Sequence, residues 1–366
     1  MTHSVLQVAP ALARDSIGRD AADLARRARA AGWRSFVLSP GGVLERELAA
    51  AGCTHLTAVA DAAGPLGSWR LGRQIAAVVR SQGIGLVHAH GPLAAAAQRG
   101  GVPLVATVHA ATRPPPQATR LLAVSDYVAE RLVEQHRVAP ERLRVVRRWI
   151  DPDEFDPERV RGHRVQALAE RWRIEHGPRL VLVAPLHAED HGHLQLVRAL
   201  ARLGHVDFVV VLLGAIATVS GYGDALVATL RRSGLADRVR FAGEAEDLPA
   251  ALALADIVVV PATVPDGSAR LAVAAQAMGR PVIVTNTGAL PEAVMPAATG
   301  WLVPEGDTDE LAHALDLALG MDPAVRARLA ARARAFVGDE FGLARQTGRV
   351  LDLYRELLGA KLAPSP

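Results

Sequence analysis

Three stretches of the chain carry side chains whose chemistry stands out. In Val87-His88-Ala89-His90-Gly91-Pro92, two imidazoles alternate along an apolar run that a Gly-Pro pair ends. Residues i and i+2 of a strand share a face, so His88 and His90 point the same way, with His90 nearer the strand end. An imidazole there can take or give a proton near neutral pH. A similar run, Thr107-Val108-His109, ends on a third histidine. In the second stretch His187, Glu189, Asp190, His191 and His193 crowd together. Their spacing matches no standard zinc pattern, so a polar loop is expected and no metal site. The third stretch is Pro265-Asp266-Gly267-Ser268-Ala269-Arg270. It puts a carboxylate and a hydroxyl ahead of a helical run, whose first N–H groups can meet a phosphate. Asp266 reads equally well as a turn residue.

Positioning these groups falls to a regular alternation of strands and helices. In the first half, strands are expected at Val5–Val8, Ser35–Leu38, Leu86–His90, Leu104–His109, Leu121–Val124 and Leu143–Arg147. Helical spacing fills Arg19–Ala31, Trp69–Ser81 and Tyr127–Gln135. The strand runs are almost continuously apolar, as in sheets covered on both faces, and the alternation implies parallel sheets. The acidic, proline-broken segment Asp151-Pro152-Asp153-Glu154-Phe155-Asp156-Pro157 reads as a linker. Beyond it strands are expected at Leu180–Ala184, Phe208–Leu213, Val239–Phe241, Ile257–Val260 and Val282–Thr285. Helices are expected at Leu194–Leu203, Ala225–Ser233, Leu248–Leu254, Arg270–Met278, Asp309–Leu319, Pro323–Phe336 and Leu343–Leu358. Two Rossmann-like domains are thus expected to face each other across a cleft. Ligands of such sheets bind outside the carboxyl ends of the strands.

The run from Pro265 to Pro281 resembles the donor-site signature of family 4 glycosyltransferases, which are retaining sugar-nucleotide transferases of the GT-B fold. Further resemblances follow in family order: Leu121-Leu122-Ala123-Val124-Ser125, Arg142-Leu143-Arg144-Val145-Val146 leading to Ile150-Asp151, the stretch Gly234 to Phe241, Ala253-Leu254-Ala255-Asp256-Ile257-Val258-Val259, and Thr299-Gly300-Trp301 through Asp307. The resemblance implies a GT-B, α/β architecture. An acceptor-side domain covers residues 1–150, a nucleotide-sugar domain 151–341, and a final helix over 342–366 crosses back to the first domain.

It also implies roles. His90 resembles the cleft residue proposed to contact the donor sugar, and Asp266 stands where an acid near that sugar assists electrostatically, so these two are the catalytic candidates. His191, Ser268, Ala269 and Arg270 are the candidates for donor binding. Gly18, the one glycine left in a loop that is often Gly-Gly in the family, and His109 are expected on the acceptor side. No metal or cofactor is implied, because side chains and helix ends neutralise the diphosphate.

The chain also departs from the family. Leu186 and His191 stand where an Arg and a Lys would hold the diphosphate, Ala274 replaces the Glu that binds the ribose, and Ser268-Ala269 replaces Phe-Gly. Losing two charge-assisted hydrogen bonds would cost roughly 3–6 kcal/mol, about two to four decades in rate. Restoring Arg, Lys and Glu at 186, 191 and 274 is therefore expected to strengthen diphosphate binding. The family's helix after His109 is missing, and Ala110–Arg120 intervenes with Pro114-Pro115-Pro116. Trp149 replaces a small glycine.

Composition narrows the function classes. The chain has 366 residues, half of them apolar, enough for two buried cores. Cys53 is its only cysteine and Lys361 its only lysine. No internal disulfide can form, and a reducing cytoplasm fits. No targeting segment is read at the start, and the run Phe208 to Val219 is too short to cross a bilayer. Residues 1–150 carry 19 basic and 10 acidic residues, a balance of +9, and the remainder carries 22 and 28, a balance of −6. A basic half suits peripheral contact with anionic inner-membrane lipid. Nucleic-acid binding is not expected, because no basic motif interleaved with aromatics occurs. The expected activity is sugar transfer from a nucleotide-sugar donor to a lipid or polysaccharide acceptor. The alternative is a degenerate GT-B protein acting as scaffold or regulator in a glycan pathway. A third reading, a nucleotide-sugar epimerase of the same fold, fits the motifs less well.

Overall fold

The computed structural model describes residues 3–13, 16–58, 64–174, 179–183, 192–214, 221–243, 245–265, 267 and 269–359. The chain divides into two compact units, Met1–Arg148 with Ala344–Pro366, and Trp149–Leu343.

The first unit holds seven strands: β1 Ser4–Val8, β2 Arg34–Ser39, β3 Thr54–Thr57, β4 Leu86–His90, β5 Leu104–Val108, β6 Arg120–Ala123 and β7 Leu143–Val145. They pair in the order β3-β2-β1-β4-β5-β6-β7, every ladder parallel. Its helices before the junction are α1 Ser16–Ala30, α2 Glu45–Ala50, α3 Gly64–Gln82, α4 Ala94–Ala97 and α5 Asp126–His136. No helix lies between β5 and β6. Strands β1 and β4 are buried along their whole length, which explains their apolar runs. Strand β3 escapes the sequence reading because Thr54-His55-Leu56-Thr57 is a half-exposed edge strand, defined only by its pairing with Phe36–Ser39. Helix α5 starts where Ser125 accepts a hydrogen bond from the Val128 N–H.

The second unit repeats the pattern with β8 Arg179–Val183, β9 Phe208–Leu213, β10 Val239–Gly243, β11 Ile257–Val260, β12 Val282–Thr285 and β13 Gly300–Val303. Their order is β10-β9-β8-β11-β12-β13, again all parallel. Its helices are α6 Gly162–Trp172, α7 His193–Leu200, α8 Tyr222–Arg232, α9 Leu248–Leu254, α10 Arg270–Ala277, α11 Thr308–Leu319 and α12 Pro323–Phe341. Asp247, Asp307 and Asp322 cap α9, α11 and α12 through their carboxylates. Two cores flank the sheet, one centred on Val211, Val258 and Ala274, the other on Val210, Leu226 and Leu315. The chain enters and leaves this unit side by side: Ile150 N–H donates to the Phe341 carbonyl at 2.8 Å, and Leu343 N–H to the Ile150 carbonyl at 3.0 Å. The last helix, α13 Leu343–Leu357, then runs in the first unit from Ala344 onward.

In each unit the chain first builds outward from its first strand and then returns to that strand's other side. The reversal falls between β1 and β4 and between β8 and β11. A crevice opens at such a point because the two crossovers leave in opposite directions. In the second unit the crevice is tightly built. Gly192, the left-handed N-cap of α7 (φ +67°), comes so close to the end of β11 that a Cβ there would lie 1.7 Å from the Pro261 carbonyl oxygen. We therefore expect Gly192→Ala to cost roughly 3–5 kcal/mol, combining left-handed strain with a backbone clash. Hydrogen exchange of the β8 and β11 amides would measure it, and protection equal to the parent's would contradict the close approach.

Candidate active site

The crevice of the first unit gathers polar groups in an otherwise apolar sheet. His88 and His90 have no solvent exposure. Their rings stack at 4.3 Å between centroids. His90 Nε2 lies 2.8 Å from Gln7 Oε1 on β1. Gln7 Nε2 donates to the Tyr354 hydroxyl at 3.1 Å, which lies 2.5 Å from His88 Nδ1. His88 Nε2 is 2.7 Å from Thr107 Oγ1 on β5. Burial holds both imidazoles neutral. It lowers the pKa of His88 to about 3, helped by the charge of nearby His109. It drives that of His90 well below its ordinary value, with His88, His109 and Arg148 adding to the effect. Burial likewise raises the pKa of Tyr354. His90 Nδ1 is buried and without a hydrogen-bond partner among the described residues.

Around this array sit Asp20 on α1 and Arg148, a buried ion pair at 3.0 Å. Gly18 lies two residues earlier on α1. A Cβ there would meet the Ala13 carbonyl oxygen at 2.4 Å, so the missing side chain admits the chain's own loop after β1. His109 follows β5 and is half-buried. The crevice thus brings Gly18, His90 and His109 to one end of one sheet. Sequence reasoning did not single out Gln7, Thr107, Tyr354, Asp20 or Arg148. Gln7 left a signal, as the lone polar residue in Val5-Leu6-Gln7-Val8.

A second polar chain lies at the ends of β2 and β3. Ser39 Oγ is 3.0 Å from His55 Nε2, and His55 Nδ1 is 3.5 Å from Glu45. It resembles a nucleophile, base and acid in series, but Ser39 is fully buried and its Oγ accepts the Gly41 N–H. The chain therefore ties down the turn after β2.

In the second unit, Asp266, Ser268, His191 and Leu186 lie outside the described residues, as do His187, Glu189 and Asp190. Gly267 is buried, and Ala269 and Arg270 are half-buried at the start of α10. Ala269 is the N-cap, and it makes no side-chain cap bond. The loop after β11 is tied to β12 by Thr285 Oγ1, which donates to the Ala262 carbonyl at 2.6 Å. Gln276 Nε2 donates to the Ala293 carbonyl at 2.5 Å, anchoring the buried side of α10. Ala274, where the ribose-binding Glu was expected, has no exposure and packs into the core beside Ala272 and Met278.

Comparison with known proteins agrees with this geometry. The family model for "Glycosyltransferase Family 4" matches residues 17–154, and that for "Glycosyl transferases group 1" matches residues 177–320. A D-inositol 3-phosphate glycosyltransferase of Saccharomonospora viridis is 31% identical over 315 residues, covering 75% of this chain and 70% of that protein. The chain belongs to glycosyltransferase family 4. A second relative of that name, from Mycobacterium sp. strain KMS, is 36% identical over 222 residues, 58% of this chain and 48% of that protein. The chain thus spans about half the length of the mycobacterial relatives it matches. Among solved structures, a glycosyltransferase from Rickettsia africae superposes with a TM-score of 0.87 at 23% identity, covering 98% of this chain and all of that one. Anabaena Alr3699/HepE in complex with UDP and glucose does so with a TM-score of 0.80 at 20% identity, covering 97% of this chain and 100% of that chain. The fold of this family 4 member is GT-B, as its motifs implied.

Proposed function

We propose that this family 4 protein transfers a sugar from a nucleotide-sugar donor to an acceptor hydroxyl with retention of configuration. The observation that carries the reading is His90. It stands at the carboxyl end of β4 in the crevice of the first unit, with Nδ1 buried and without a hydrogen-bond partner among the described residues. Asp266, ahead of α10, is the second catalytic residue of this reading. Its carboxylate would stabilise the positive charge that develops on the sugar as the diphosphate leaves. The start of α10 at Ala269 and Arg270 is where a phosphate would meet helix N–H groups, and His191 and Ser268 complete the donor-binding set of this reading. Gly18 and His109 belong to the acceptor side. HepE's complex with UDP and glucose puts UDP-sugars first in a donor panel. The relatives' name adds a phosphorylated inositol to the lipid and polysaccharide acceptors to be tried.

Turnover across UDP-, GDP- and ADP-sugars tests the reading. On an active donor, His90→Ala and Asp266→Asn should each lower turnover at least tenfold. Asp266→Asn should change stability little, whereas His90→Ala, which unpairs the buried Gln7 Oε1, should also cost about 1–3 kcal/mol. Unchanged turnover in both would remove these residues from the reaction. A second reading, a GT-B protein without donor chemistry, is favoured by the core position of Ala274. Weak binding of every nucleoside diphosphate, with no turnover in the parent, would select it.

We further propose that the protein works in the cytoplasm with its first unit against an anionic membrane surface. Support comes from the basic balance of residues 1–150 and from α3, which exposes Leu66 and Trp69 beside Arg73. Among the described residues, no helix is long and apolar enough to cross a membrane.

A further inference from the structure

The bonds around His90 fix where its proton sits. Gln7 Nε2 donates to the Tyr354 oxygen, so the Tyr354 O–H must donate elsewhere, and the one acceptor within reach is His88 Nδ1. His88 then carries its proton on Nε2 and donates to Thr107 Oγ1. The other end of the same amide, Gln7 Oε1, can only accept. It faces His90 Nε2 at 2.8 Å, so that nitrogen carries the proton of His90. A neutral imidazole has one N–H, which leaves Nδ1 of His90 as a bare lone pair.

Turning the Gln7 amide over would reverse every donor in the series and end on a buried His90 Nδ1–H without an acceptor. An orphaned buried N–H is rarer than an under-satisfied acceptor. The charges of Arg148 and His109 also oppose a second proton on the ring. The direction of the array is therefore set by the Gln7 amide, and the amide is held by Tyr354, which has no exposure. Tyr354 lies on α13, which reaches the first unit only after the chain has completed the second.

We propose that Tyr354, acting through the Gln7 amide, holds His90 as its Nε2–H tautomer and so presents Nδ1 as a hydrogen-bond acceptor for a ligand hydroxyl. Tyr354 and Gln7 are positioning residues: they touch His90 or each other, and in this proposal His90 alone would meet the ligand. That the hydroxyl belongs to a sugar rests on the function proposed above, whereas the tautomer does not.

Long-range proton–nitrogen spectra of the full chain labelled with ¹⁵N-histidine read the protonation of each ring nitrogen and need no turnover. A protein that transfers no sugar can still show the tautomer, and an active one can lack it. His90 should show a protonated Nε2 and an unprotonated Nδ1. Tyr354→Phe keeps the ring and frees the amide, so both His90 signals should move toward the intermediate positions of exchanging tautomers. Gln7→Glu supplies a carboxylate that only accepts. It should leave His90 as Nε2–H and move the His88 proton from Nε2 to Nδ1. A protonated Nδ1 in the parent overturns the proposal. So do His90 signals unmoved in Tyr354→Phe, or His88 signals unmoved in Gln7→Glu.

Discussion

Lowering the pH from about 7.5 to about 5 should remove roughly 4 kcal/mol of stability from the first unit. The cause is the pair His88 and His90, which the fold holds neutral. An unfolded histidine titrates near 6.5. A group whose folded pKa is depressed stabilises the fold fully above its unfolded value, and this contribution is lost as the pH falls. Each histidine loses about 1.4 kcal/mol per pH unit below 6.5, so about 2 kcal/mol by pH 5. For His88 the loss continues until the pH reaches its folded value of about 3. The groups facing the pair sharpen the effect. Arg148 and His109 are positive or can become so, and the rings stack on each other, so one proton discourages the next. Asp20 gives little relief because its carboxylate is paired with Arg148. Hydrogen exchange of the β1 and β4 amides at the two pH values measures the drop. His88→Gln should roughly halve it. Equal protection at both pH values would mean that the pair is not buried and neutral.

Introducing Glu at position 274, the family's ribose-binding residue, should cost the second unit about 3–5 kcal/mol. The methyl of Ala274 is fully enclosed, with Ala272, Val273 and Ala275 buried on the same short helix. A larger side chain overpacks that site, and an unpaired carboxylate in it carries a desolvation penalty of several kcal/mol. Gln, which overpacks equally but bears no charge, should be about 2 kcal/mol less damaging. Urea unfolding of the parent and both variants separates the two contributions. Affinity for UDP should not improve in Ala274→Glu. This reverses the expectation drawn from the motif alone, in which Glu at 274 helps restore diphosphate binding. A Glu variant as stable as the parent and binding UDP more tightly would show that α10 opens this face to ligand.

Much of the fold was legible because parallel strands covered on both faces need apolar runs, and those runs are local. Phe208–Leu213 and Ile257–Val260 are read from the sequence with the bounds they have in the structure. Helix α9 likewise starts and stops at Leu248 and Leu254, between an aspartate cap and Ala255. Where burial is partial the local signal fades. Strand β3 shows no run, and α6 has Trp172 as its only buried residue, so neither was anticipated. Of the candidate site, His90 was legible because a histidine at the end of an apolar strand is a local feature. Gly18 was expected in a loop after β1 but lies in the first turn of α1, because the helix begins at Ser16, earlier than its apolar spacing shows.

What the sequence determined by itself is therefore the alternation, the family motifs and the place of His90 at a strand end, each written within a few neighbouring residues. The tertiary structure alone decided the state of those residues. Gln7 and Tyr354 are 347 positions apart, and no periodicity reports that one holds the other. Ala274 matches a binding position in its motif, yet its surroundings come from α12 and the sheet, and they make it core. Hydrogen-bond direction and burial depend on which distant groups share a space without water, and only the folded chain settles that.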